Sequence, residues 1–136
     1  MDNIIVKKIW ADTDFYEAEI TFKTEFIQCK IISYLVNSEI ENLTCHIGDY
    51  VNENKNFNWE IGENGSSHSP KIIIKSIDVN NNGYVNLEIF CDIFSVVDNK
   101  YGCLFPFETE IGSLQRFAKE IYKLNMAEVG TIIELV

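Results

Sequence analysis

The stretch from Lys71 to Phe90, KIIIKSIDVNNNGYVNLEIF, reads as a β-hairpin and as one half of an internal repeat. Residues 71–78 are β-branched, residues 80–83 are turn-prone, and Asn82-Gly83 supplies the positive φ angles of a tight turn. Beside it lies the stretch from Asn3 to Phe22, NIIVKKIWADTDFYEAEITF, which matches at an offset of 68. Ile4-Ile5-Val6-Lys7 falls on Ile72-Ile73-Ile74-Lys75, Ile9 on Ile77, Tyr16 on Tyr84 and Phe22 on Phe90. After a three-residue insertion Ser38-Glu39-Ile40-Glu41-Asn42-Leu43 falls on Thr109-Glu110-Ile111-Gly112-Ser113-Leu114. Solenoid repeats run about 20 to 50 residues, so this period predicts two copies of one larger unit. The copies are residues 3–61 and 71–136, joined by the Gly-, Ser- and Asn-rich loop 62–70, in a single domain over 1–136.

Working outward, the spacing predicts strands over 3–10, 16–22 and 26–36. Tyr16, Ala18, Ile20 and Phe22 alternate with Glu17, Glu19, Thr21 and Lys23, which is the period of a strand with one wet face. Ser38-x-x-Glu41 is a capping box, followed by Ile40, Leu43, Ile47, Tyr50 and Val51 at helical spacing. A short strand over 57–61 carries Trp59. The second copy repeats the order: strands over 71–78, 84–94 and 103–107, a loop at 98–101, then a helix capped by Thr109. That helix has the apolar face Ile111, Leu114, Phe117, Ala118, Ile121 and Tyr122, and a last strand covers 131–136. The expected fold is α+β: two pseudo-symmetric β-β-β-α-β units whose antiparallel sheets pack with two helices. This element order is similar to that of the duplicated Whirly domains, which bind single-stranded DNA.

Charge opposes that activity. The chain has 136 residues with 21 acidic against 11 basic, a formal charge of −10, which repels phosphate backbones and anionic membrane surfaces. Residues 9–70 hold eleven acidic residues against Lys23, Lys30 and Lys55, and so −8 of the −10. The best basic group, Lys7, Lys8, Lys71 and Lys75, is small and split by strand alternation. Neither a secretory signal nor a membrane-length apolar run is visible, and Cys29, Cys45, Cys91 and Cys103 lack C-x-x-C spacing. The expectation is a cytoplasmic protein with reduced thiols, a monomer or weak dimer.

Motifs for chemistry are sparse. Asp78 to Val85 fits the first eight positions of a calcium loop, but Ile89 stands where a bidentate Glu belongs. Cys45 and His46 are neighbours on a helix and point apart, with no second pair at zinc spacing. Ser66-Ser67-His68 lacks an orienting third group, and no phosphate loop or nucleophile elbow is present. No catalytic residue, metal or cofactor is expected.

In profile the chain resembles the small acidic immunity proteins of bacterial polymorphic and contact-dependent toxin systems. Trp59-Glu60-Ile61-Gly62, the hairpin from Asp78 to Val85, and the stretch from Phe107 to Leu114 carry the likeness. The resemblance implies a non-enzymatic chain that binds and neutralises a cognate toxin, expected to be basic and a nuclease. The alternative is a structural or regulatory protein-binding domain. The charge distribution places the partner-binding surface at Asp12, Asp14, Glu17, Glu39, Glu41, Asp49, Glu53, Glu60 and Glu63, with Trp59 as aromatic anchor.

Overall fold

Among the described residues, alternating apolar residues generate eight strands, and two amphipathic helices cover the core they share. The structure, a computed structural model, describes residues 2–63, 66, 69–77, 82–94 and 100–136. In chain order the elements are β1 (Asn3–Ala11), β2 (Phe15–Lys23), β3 (Gln28–Val36), α1 (Asn37–Glu53), β4 (Asn58–Ile61), β5 (Lys71–Ser76), β6 (Tyr84–Phe94), β7 (Lys100–Glu110), α2 (Ile111–Leu124) and β8 (Ile132–Leu135). The β-β-β-α-β order therefore occurs twice, and the fold is α+β.

The two copies exchange their last strands. One four-stranded sheet has the order β3-β2-β1-β8 and the other β4-β5-β6-β7, antiparallel throughout. Each copy thus builds three strands of its own sheet and lends the fourth to the other. Read from β7 to β4, the second sheet repeats the first strand for strand, as an approximate twofold requires. At the start of the connection back from β4, Gly62 has φ 77°, and a Cβ there would collide with the Pro70 carbonyl. Only glycine lets the chain pass so close to itself.

Strand registers correct the repeat alignment. Ile4 pairs with Phe22 in the first sheet, and its equivalent Ile72 pairs with Cys91 in the second. The offset is 68 on the first strand but 69 on the second, so Tyr16 corresponds to Val85 and not to Tyr84. A one-residue slip changes the face of every side chain. Accordingly Tyr16 is 1% exposed and Tyr84 is 53% exposed. The helices also shift: the buried residues of α1 are Ile40, Leu43, Ile47 and Tyr50, and those of α2 include Leu114, Phe117, Ile121 and Leu124, an offset of 74. His46 is therefore not the counterpart of Phe117; it is half-buried and stacks on Phe57 at 6.1 Å. Tyr122, expected on the apolar face, points to solvent, and Leu124 takes the buried place.

Both predicted caps move. α1 begins at Asn37, two residues early for a Ser38 cap, so Val36 stands at the cap position and the carboxylate that reaches back is Glu39, whose Oε1 accepts from the Val36 amide at 3.1 Å. Thr109 is buried inside β7, which runs on to Glu110, and the Ile111 amide donates to the Gly83 carbonyl at 2.9 Å. The third strand starts at Gln28 because Thr24 closes a turn, accepting at Oγ1 from the amides of Phe26 and Ile27. Lys100 and Tyr101, expected in a loop, open β7. Asn82 and Gly83 do carry positive φ, 59° and 84°. The remaining turn residues, Asp78 to Asn81, lie outside the described residues, as does Asp98.

Lys8 is the least expected core residue. It is 3% exposed, and its Nζ donates to the carbonyls of Leu124, Asn125 and Ala127 at 3.0, 3.3 and 2.8 Å, just past the end of α2. The ammonium also sits 4.7 Å from the centroid of the Tyr16 ring. Burial pushes the Lys8 pKa down, while the C-terminal carbonyls of a helix attract the charged form. Lys8→Met keeps the aliphatic stem and removes the donor. The Leu124 carbonyl keeps the Ala127 amide at 3.1 Å, but the Asn125 and Ala127 carbonyls lose the ammonium, which is expected to cost about 2 to 4 kcal/mol in urea unfolding.

Candidate functional site

A β-bulge builds the most distinctive surface. In β1 Lys8 pairs with Ala18 but Trp10 pairs with Glu17, so Ile9 is an extra residue on the β1 side. By simple alternation Trp10 would follow Ile4, Val6 and Lys8 into the core. The bulge turns it to the outer face, where it is 46% exposed. There it meets Phe15 and Tyr34: centroids lie 5.6 Å apart for Trp10 with Phe15, 6.3 Å for Trp10 with Tyr34, and 5.5 Å for Phe15 with Tyr34. The Tyr34 pairs are edge-on, the arrangement the ring quadrupoles favour.

Carboxylates surround this cluster. Glu17 lies in the cross-strand row between Trp10 and Tyr34. Asp12 and Asp14 stand in the turn that joins β1 to β2, which is tied down where the Asn37 amide donates to the Asp14 carbonyl at 3.4 Å. Glu39 is fixed by its bond to Val36. Beyond it a groove of about 380 Å³ is lined by Tyr34, Val36, Glu39, Gly62, Glu63 and the serines Ser66 and Ser69. Five of the expected acidic residues, Asp12, Asp14, Glu17, Glu39 and Glu63, therefore share one end of the first sheet. The lysines of this face lie farther down the strands: Lys7 is opposite Glu19, and Lys30 pairs with Glu19 at 3.8 Å.

The other expected residues do not join them. Asp49 is ten residues past Glu39 along α1, about 15 Å at the helical rise. Glu41 is exposed on the same helix, and Glu53 at its end pairs with Lys55 at 3.0 Å. Glu60 pairs with Lys71 on the outer face of the second sheet. Trp59 is no surface anchor: it is 5% exposed and its indole Nε1 donates to the Glu39 carbonyl at 2.9 Å. It alternates with the exposed Asn58 and Glu60, and so faces the core with Ile61. Sequence reading missed Phe15 and Tyr34 as anchor residues; their signal was aromatic side chains on the wet side of two alternating strands.

Nearby chemistry-bearing groups are occupied. Ser66 Oγ accepts from the Ser69 amide at 2.9 Å, while Ser67 and His68 lie outside the described residues. The basic group disperses, with Lys8 in the core and Lys75 paired with Glu88 at 3.1 Å. Among the described residues no His, Cys, Asp and Glu side chains are grouped to hold a metal ion, and no helix is long and apolar enough to cross a membrane. Comparison with protein-family models, curated proteins and solved structures gives no match.

Proposed function

We propose that the chain is an immunity protein: it binds a basic bacterial toxin domain and neutralises it by occupying the toxin's working surface, without catalysis of its own. The observation that carries this reading is the convergence of Asp12, Asp14, Glu17, Glu39 and Glu63 around the solvent-facing cluster of Trp10, Phe15 and Tyr34. An acidic face kept only for solubility has no use for three aromatic rings held together in water. Interface hot spots, in contrast, favour Trp and Tyr. A nuclease cleft is basic because it holds phosphates, and an acidic surface reaches it quickly by electrostatic steering. The expected partner is then the product of the adjacent gene. Co-expression should restore growth to cells producing that toxin domain, and the two chains should co-purify. Survival without complex formation, or no protection at all, removes the reading.

A structural or regulatory protein-binding role has one observation in its favour. On the outer face of the second sheet Ile73, Phe90 and Leu104 form a cross-strand apolar row, with Leu104 60% exposed. Binding through that row would be nearly independent of salt, whereas binding through the acidic rim weakens as ionic strength rises.

A further inference from the structure

Three of the four cysteines meet between the sheets, at the end of the molecule away from the aromatic cluster. Cys29 is the second residue of β3, whose other end carries Tyr34 and Val36, and it pairs across the strands with Phe22. Cys91 and Cys103 are directly opposed on β6 and β7. Cys29 and Cys103 hold equivalent places in the two copies, and both pack half-buried against the core, whereas Cys91 is fully enclosed. Phe22 meets Phe105 edge-on across the same gap at 6.0 Å, so the two sheets are in contact there. Cys29 therefore faces Cys91 and Cys103 across the gap between the sheets. All four cysteines are free, and Cys45 stands apart, exposed on α1.

We propose that Cys29 is a peroxide-reactive thiol that closes a disulfide with Cys91 and so ties the first sheet covalently to the second. The Cys29 thiolate attacks one oxygen of a hydroperoxide, breaking the O–O bond, and the departing oxygen leaves as hydroxide or alkoxide and takes up a proton. Cys29 becomes a sulfenic acid. The Cys91 sulfur then attacks the Cys29 sulfur, the S–O bond breaks, and the hydroxyl leaves as water with the Cys91 proton. Each cycle consumes one peroxide and oxidises two thiols.

The surroundings suit these roles. The hydrogen bond from Cys91 brings the Cys29 thiol down to about 7, against burial and with a smaller contribution from Cys103. The same bond, together with burial, pushes the Cys91 thiol up. Of two coupled thiols the one nearer water carries the charge, which makes Cys29 the nucleophile and Cys91 the resolving partner. A small peroxide can reach half-buried Cys29, and the enclosed Cys91 is placed to trap the sulfenic acid before further oxidation.

The test is hydrogen peroxide titration of the intact chain, followed by alkylation and non-reducing peptide mapping. The expected product is two hydrogens lighter, joins the Cys29 and Cys91 peptides, leaves Cys45 open to alkylation and reverts with dithiothreitol. Cys45→Ser should retain the bridge and Cys29→Ser should lose it; mapping of the unaltered chain decides even if a variant misfolds. Preferential oxidation of Cys45, sulfinic acid at Cys29 without a bridge, or a bridge that omits Cys29 or Cys91 would overturn the proposal. Because the cluster lies at the far end of β3 from the acidic rim, this outcome stands or falls separately from toxin binding.

Discussion

Trp59→Ala is expected to cost about 3 to 5 kcal/mol, a large share of the roughly 5 to 15 kcal/mol by which a domain of this kind is stable. Trp59 sits on β4, the strand the first copy lends to the second sheet, so its indole packs where the two copies are joined. It lines the same small void of about 20 Å³ as Ile40 and Leu43 of α1 and Ile72 and Ile74 of β5. The alanine variant empties an indole-sized space at that junction and removes the indole donor from the Glu39 carbonyl. Trp59→Phe should separate the two effects, because it keeps most of the apolar volume. Losing the hydrogen bond alone costs about 1 kcal/mol. Urea unfolding of the three proteins checks the order. If Trp59→Ala is nearly neutral, β4 does not hold the two copies together.

The second large effect is on binding. Asp14→Lys with Glu17→Lys should abolish capture of a basic partner, since each desolvated charge truncated at an interface costs roughly 2 to 5 kcal/mol, and reversal adds repulsion. Trp10→Ala should cost about 2 kcal/mol or more in affinity if the cluster is the buried anchor. Neither change should lower the melting temperature much, because these side chains lie on the outer face, apart from the core. Lysine at Glu41, Asp49 or Glu53 provides the contrast. Those residues lie along α1 outside the aromatic rim, and their reversal should slow association without abolishing it.

How far the fold was legible depends on which contacts were local. Tyr16, Ala18, Ile20 and Phe22 identified their inner face by alternation, and both helices were evident from their apolar spacing. The exchange of β4 and β8 was not legible, because strand pairing between copies depends on contacts across the whole chain. Register failed for a physical reason. Tyr16 over Tyr84 is an attractive match of letters, yet one residue of slip reverses a strand's faces, and only the partner strands reveal it. In the helices the slip was three residues, nearly one turn, so Leu43 and Leu114 are both buried even though they are not equivalents.

The candidate site was half legible. Charge density pointed to Asp12, Asp14, Glu17, Glu39 and Glu63, but equally to carboxylates that the fold scatters along α1 or pairs with Lys55 and Lys71. Composition cannot tell a gathered charge from a dispersed one. Trp10 faces out and Trp59 faces in for opposite reasons. A bulge at Ile9, visible only against β2, carries Trp10 outward, while plain alternation with Asn58 and Glu60 carries Trp59 inward.

The most direct test of the proposed acidic docking surface is calorimetric titration of the proposed partner, the product of the adjacent gene, with the unaltered chain and with a Trp10→Ala, Asp14→Lys, Glu17→Lys variant of unchanged melting temperature. The expected result is tight, salt-sensitive binding by the unaltered chain and none detectable by the variant. Equal affinity for both, with binding lost instead on substitution of Phe90 and Leu104, would contradict the assignment and move the docking surface to the second sheet.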